Sequence, residues 1–297
     1  MPRPSTVERA REEIIDFFKS QTRRVFRYSD LRAIFEEQRS VWNIAASSKL
    51  KQFIIVLLDT GTLKEQVAPF PHRSETRFLM GTPSIYAMVQ TLKDRGYFSH
   101  RSALHLNGLT AGEPKDVYLN VEQRPHPPPS VSLTQKGLDF AFKGRQRSTS
   151  NIALIEKYRV HLLNGKYSND LGVIEMIEPG GAVVRVTDQE RTLIDAVVRP
   201  AYAGGVERLL RAYVAGRDKV SIRRLIGYLR ELKHVYPYHQ AIGYLLEQAG
   251  YPREEVDIMR LLPREFKFYL THEMQDPEYV ESWKLYIPRG FGRRCRE

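Results

Sequence analysis

One cysteine, Cys295, is present among 297 residues, which excludes a disulfide framework and a zinc site built on thiolates. A reducing, cytoplasmic compartment is therefore the expectation. Long apolar runs are missing too. The longest, Phe53-Ile54-Ile55-Val56-Leu57-Leu58, suits a buried helix and falls far short of the roughly 20 residues that cross a bilayer. The opening Met-Pro-Arg-Pro-Ser turns acidic and amphipathic within a few residues, so no secretory signal and no membrane partner are expected. Acidic residues are in deficit: 46 Lys+Arg against 35 Asp+Glu leave a charge of +11, a field that attracts polyanions without selecting among them. With 42% apolar and 27% charged residues, the chain has material for one large or two medium domains with real cores.

Signatures of catalysis are equally scarce. His100 and His105 are five apart and do not form the i, i+4 pair of helical zinc sites. Asp188, Glu190 and Asp195 share a helix, yet capping accounts for Glu190, the helix dipole for Asp188 and an ion pair with Arg191 for Asp195. Gly180-Gly181 and Gly204-Gly205 lack the Lys-Ser/Thr of a phosphate-binding loop and the spacing of a dinucleotide fingerprint, and no Gly-Xaa-Ser-Xaa-Gly occurs. No catalytic residue, metal ligand or cofactor is expected, and the chain is not expected to be an enzyme.

What is present is a clear succession of elements. Ser5 or Thr6 caps a helix carrying Val7, Ala10, Ile14, Ile15, Phe17 and Phe18, which ends near Ser20. Ser29-Asp30 offers a cap for a second helix with Leu31, Ile34 and Phe35 inward. A turn from Arg39 to Ala46, with Trp42 and Asn43 expected at the surface, leads to a third helix. It starts at Ser47-Ser48, faces inward with Leu50, Phe53, Ile54 and Leu57, and stops at Gly61. Thr62 to Val67 and Thr76 to Met80 form a hairpin with a long Pro-rich tip. This order predicts a winged helix-turn-helix over residues 1–82, whose third helix enters the major groove while the hairpin touches phosphates. The expected DNA-binding residues are Arg27, Arg39, Trp42, Asn43, Ser47, Ser48, Lys49, Lys51, Gln52, Arg73 and Arg77. The segment 1–80 holds 14 Lys+Arg against 10 Asp+Glu, so the placement of its charge matters more than its amount.

Residues 83–297 read as a larger α+β domain with a mixed or antiparallel sheet and several helices. Helices are expected from Ser84 to Gly96 and from Ser99 to Asn107, and a strand from Val117 to Val121 precedes a stiff connector at Pro125 to Pro129. Four further strands are expected at Asn151 to Ile155, Tyr158 to Leu163, Gly172 to Ile177 and Ala182 to Val186. Thr187-Asp188-Gln189-Glu190 fits a capping box for a helix that stops before Pro200. Three more helices follow, from Val206, from Ser221 to Lys233, and from Pro237 to Ala249, and the tail from Arg253 looks irregular. Lys136, Lys143, Arg145 and Arg147 form a second basic cluster. Tyr228 to Tyr238 and Trp283 to Arg296 are rich in aromatic and basic residues, as cores and protein interfaces also are.

Specific strings add to this pattern. Leu133 to Phe142 (LTQKGLDFAF), Val184 to Asp195 (VRVTDQERTLID), Arg199 to Val206 (RPAYAGGV) and Tyr236 to Gly243 (YPYHQAIG) resemble the AbiEi-type antitoxin and transcriptional regulator family of type IV toxin-antitoxin systems. The resemblance spans roughly residues 5–255, and Glu190 to Gly205 is its most specific run. It implies a bacterial phage-defence antitoxin. An N-terminal winged helix-turn-helix would repress the operon from inverted repeats in double-stranded operator DNA, with two copies on one repeat. A C-terminal domain would counter an AbiEii-like nucleotidyltransferase toxin, directly or indirectly. The Gly-Ser followed by Asp-Xaa-Asp that such a transferase needs is absent from this sequence. The alternative expectation is a stand-alone winged-helix regulator whose C-terminal domain senses a ligand or protein partner.

Overall fold

The computed structural model describes residues 4–127 and 132–292. Cys295, Pro128 and Pro129 of the proline connector, and the last residues of the stretch Trp283 to Arg296 lie outside them. The fold is mixed α+β, with 13 α-helices and three sheets among the described residues. It divides into two compact units: residues 1–94, 151–158 and 177–184, and residues 95–150, 159–176 and 185–297.

The first unit opens with Ser5, whose hydroxyl accepts from the Glu8 N–H and caps the helix Thr6–Arg9. After a break at Ala10 the helix Arg11–Ser20 continues the amphipathic pattern. The second helix, Tyr28–Gln38, begins before the expected cap at Ser29-Asp30. Asp30 sits within its first turn and reaches back to accept from the Arg27 N–H at 2.8 Å. The third helix, Leu50–Asp59, likewise starts after Ser47-Ser48, with Gln52 Oε1 accepting from the Lys49 N–H at 3.1 Å. It ends at Thr60, and Gly61 takes the left-handed φ of +66° that a side chain would resist. Phe18, Phe26, Phe35, Phe53 and Trp42 make one aromatic core, with Phe53 contacting three of the other four, Phe18, Phe35 and Trp42, at centroid distances of 5.2–6.1 Å.

The hairpin pairs Lys64–Pro69 with Ser74–Leu79 in a register that runs from Lys64 opposite Leu79 to Pro69 opposite Ser74. Its tip is therefore shorter than the sequence suggested, because Phe70 is buried and pulls the turn inward. A third strand, Val25–Phe26, joins Ser74–Leu79 on its free edge, giving the sheet order Val25–Phe26, Ser74–Leu79, Lys64–Pro69. The helix Ile85–Gln90, capped by Ser84, closes sooner than its apolar spacing implied. The strand Ile152–Ile155 also belongs to this unit, packed against Lys64–Pro69.

Most of a six-stranded mixed sheet lies in the second unit, five of its strands running in the order Tyr158–Gly165, Asp116–Glu122, Tyr97–Phe98, Val183–Thr187 and Val173–Ile177. Asp116–Glu122 is parallel to Tyr158–Gly165 and antiparallel to Tyr97–Phe98, which in turn runs parallel to Val183–Thr187. The helix Gln189–Val198 is buried along most of its length and packs with His100–Leu106, Val206–Gly216, Ile222–Leu232 and Tyr238–Gln248. Its cap differs from the expected box. The Asp188 carboxylate accepts from the Arg191 N–H at 2.9 Å, while Thr187 bonds Thr192 at 2.7 Å. Glu190 points away and accepts from the Ser221 N–H at 2.7 Å, so it ties down the start of the helix Ile222–Leu232.

Several elements of this unit had no prediction, among them the strand Tyr97–Phe98 and the short helix Pro200–Ala203. Leu138 and Phe142 bury one side of a helix, Gln135–Lys143, capped by Thr134. The tail holds a helix, Arg253–Arg260, and a small sheet in the order Phe268–Tyr269, Leu285–Ile287, Glu278–Val280. Trp283 is fully buried beside that sheet, with the guanidinium of Arg260 5.1 Å from its ring centre. No helix among the described residues is long and apolar enough to cross a membrane.

Candidate nucleic-acid interface

The helix Leu50–Asp59 has two unlike sides. Phe53, Ile54, Val56 and Leu57 are buried in the aromatic core, whereas Lys51, Gln52, Ile55 and Asp59 face solvent. Just ahead of it Asn43, Ser47 and Lys49 are exposed and Ser48 is half-buried. Asn43 adopts a φ of +52°, a conformation that asparagine tolerates better than most residues and that turns the chain sharply before the helix. The turn is fixed from behind. Thr6 Oγ1 accepts from the Ala45 N–H at 3.1 Å and shares a hydrogen bond with the Ser48 hydroxyl at 2.9 Å.

Four of the eleven predicted residues have other duties. Trp42 is 5% exposed, packed edge-on to Phe17 and stacked on Phe53, so it is a core residue and not the surface residue its turn suggested. Arg77 is 4% exposed. It donates to Thr91 Oγ1 at 2.8 Å and to the Thr91 carbonyl at 2.9 Å, and burial lowers its pKa despite the nearby Glu75. Arg27 also donates to the Thr91 carbonyl, at 2.9 Å from Nε, and pairs with Asp94. Arg39 lies over the Phe35 ring and donates to the carbonyls of Ala46 and Ser48 at 3.0 and 3.2 Å. These arginines shape the loop and the hairpin base from inside.

What remains at the surface is a compact set of donors, Asn43, Ser47, Lys49, Lys51 and Gln52, with Arg73 at the hairpin tip 83% exposed along its side chain. Gln52 spends its carbonyl oxygen on the Lys49 N–H. Its amide NH2 is left to donate outward. Exposed basic side chains on the same unit that the sequence alone missed include Arg32 on the second helix and Lys64 at the start of the hairpin, because neither lies in a stretch with a charge pattern.

In the second unit, the residues with acid or histidine chemistry are largely engaged with one another. Arg191 Nε donates to Asp195 at 2.8 Å, as its i, i+4 spacing predicted. His161 Nε2 lies 2.9 Å from Asp116, whose carboxylate also receives Arg159 and is held below its ordinary pKa by these hydrogen bonds against the opposing effect of burial. Among the described residues no group of three or more His, Cys, Asp or Glu is placed to hold a metal ion.

No protein-family model matches the sequence, and no curated protein does. Among solved structures, the crystal structure of the RV2827C protein from Mycobacterium tuberculosis superposes with a TM-score of 0.62. The match covers 96% of this chain and 92% of that chain at 12% sequence identity. At that identity the likeness is one of fold.

Proposed function

We propose that the three helices and hairpin of the first unit form a winged helix-turn-helix that binds duplex DNA, and that the chain is an AbiEi-type antitoxin which represses its own operon. The order of the elements supports this reading: helix, short strand, two helices, then a hairpin whose second strand lies between its first and the short strand. The observation that carries it is the two-sided helix Leu50–Asp59. Its apolar side is anchored in the aromatic core, and hydroxyl, amide and ammonium donors collect at its exposed N-terminal end, the end that reads base edges in this motif. Arg73 at the hairpin tip suits a phosphate contact beside the groove. Trp42, Arg77, Arg27 and Arg39 act indirectly, by holding the surface in shape.

One such domain presents a small surface, so two copies on an inverted repeat are expected, with half-sites about one helical turn or a small multiple apart. The partner of the second unit would be an AbiEii-like nucleotidyltransferase toxin. Its gene is expected beside this one, and retention of the toxin on the tagged antitoxin would distinguish capture from action at a distance.

The decisive measurement is a gel shift with the upstream DNA at several salt concentrations. Joint replacement of Lys49 and Lys51 by Ala should weaken binding and reduce the salt slope by about 2, at roughly 0.9 per phosphate contact. Lys233→Ala, on the second unit, should leave both unchanged. Equal loss from the two changes, or binding with no salt dependence, would overturn the reading.

A further inference from the structure

A cavity of about 540 Å3 lies wholly within the second unit, walled by the strand Tyr158–Gly165, the helix Gln189–Val198 and the segment 147–149. Its size is that of small-ligand sites. Four cations line it, Arg147, Lys166, Arg191 and Arg199, against one carboxylate, Asp195. Arg191 and Asp195 are paired, but Lys166 and Arg199 form no ion pair among the described residues. Lys166 Nζ donates to the carbonyls of Leu232 and Lys233 at 2.6 and 3.0 Å, and Arg199 to the carbonyl of Arg147 at 2.7 Å. Neutral carbonyls orient these cations without cancelling their charge, so the cavity carries an uncompensated positive excess in a partly dehydrated place.

The neutral groups of the wall are arranged with similar economy. His234 lines the cavity, and its buried Nε2 has no hydrogen-bond partner. Burial lowers the pKa of both His234 and His100 to about 4, so at neutral pH each imidazole is uncharged, with one donor and one acceptor nitrogen, and Nδ1 of His100 is engaged with the Ser99 hydroxyl at 2.8 Å. His100 holds a φ of +51°, a strained conformation for a residue with a Cβ, and lies edge-on to Tyr202 with ring centres 5.3 Å apart. Gly165 is the close-approach position: a Cβ there would sit 2.6 Å from the amide of Asn120. A side chain at Gly165 would displace Asn120 from the wall.

We infer that this cavity is a binding site for a small organic phosphate, with the oxyanion held by Lys166 and Arg199 and the body of the ligand set against Tyr202 and His100. Guanidinium groups suit a phosphate because their forked donors match its oxygens, and enclosure separates a small phosphate ester from the backbone of a long nucleic acid. The inference does not depend on the DNA-binding reading, which concerns the other unit.

Calorimetric titration of the full chain with inorganic pyrophosphate, adenosine 5′-monophosphate and adenosine tests it. Saturable binding of the two phosphates and none of adenosine is expected. Lys166→Met should weaken phosphate binding about tenfold, the loss of one charge-assisted hydrogen bond, and Asp195→Asn should strengthen it severalfold by removing the opposing charge. Ser148→Trp, at an exposed lining position that makes no buried contact, should block entry in a folded protein and serves where the other variants do not fold. Failure of both phosphates to bind, equal binding of adenosine, unchanged affinity in Ser148→Trp, or binding of a duplex oligonucleotide at this site in place of the small phosphates would each overturn the inference.

Discussion

At the residue scale, burial decides what a side chain is free to do. Trp42 and Arg77 sit in turn and strand sequences that look solvent-facing, yet both are enclosed, Trp42 by the phenylalanines of the aromatic core and Arg77 by its hydrogen bonds to Thr91. Arg27 and Arg39 have the composition of a basic patch and the geometry of braces. The lysines at 49 and 51 are exposed, on the side of the third helix opposite its buried residues Phe53, Ile54, Val56 and Leu57. Gly243 shows the converse, a residue whose importance no pattern reveals. A Cβ there would fall 2.2 Å from the Trp283 ring, within the helix Tyr238–Gln248. Replacing glycine by alanine inside a helix ordinarily stabilises by up to about 1 kcal/mol. Here Gly243→Ala should instead destabilise by about 2 kcal/mol through overpacking, read as a lower urea midpoint with an unchanged slope.

Individual helices and strands depend on partners distant in sequence. Glu190, which local spacing assigned to its own helix, accepts from the Ser221 N–H and lies 3.4 Å from Arg224. Glu190→Ala should therefore cost about 1–3 kcal/mol by leaving a part-buried N–H unsatisfied, and amide exchange should rise first in Ile222–Leu232. Exchange rising first in Gln189–Val198 would show that the glutamate serves its own helix after all. The same locality sets how much could be read from sequence. The three N-terminal helices, the hairpin and the four strands between 151 and 187 carry full apolar periods and stand where the pattern put them, with ends displaced by one to three residues. Val25–Phe26 and Tyr97–Phe98 are two residues long, too short to show an alternation, and exist because a neighbouring strand offers its edge. The sheet of the tail is held around Trp283 by side chains from Tyr238–Gln248, information that no local window contains. The phosphate cavity was illegible for the same reason: its cations come from segments scattered between 147 and 199.

For the molecule as a whole, acid should be the weak flank. His100 and His234 are kept neutral in the folded state, their pKa pushed from an ordinary 6.5 to about 4 by burial. Asp195 acts in the opposite direction on both, while Arg191 reinforces burial at each, joined by Lys166 at His234 and Arg199 at His100. A group whose folded pKa is depressed contributes nothing against folding above its unfolded value, so the stability is fully present above about pH 6.5. It is lost as pH falls toward 4, at up to about 1.4 kcal/mol per pH unit for each histidine. Urea titrations at pH 7, 6 and 5 should show this decline, and replacing both histidines by Gln should flatten it. A profile equally steep in the double variant would assign the acid sensitivity elsewhere.

The chain visits its first unit three times, the last visit being residues 177–184, where Glu178 accepts from the Ser84 hydroxyl at 2.9 Å. During synthesis, then, the amino-terminal part cannot reach its finished form when its own residues leave the ribosome. It must wait for roughly as much chain again to emerge. A nascent polypeptide halted before that point would display the helices of the first unit without their last support, and the surface they carry would mature only after the first two segments of the second unit, residues 95–150 and 159–176, had been made.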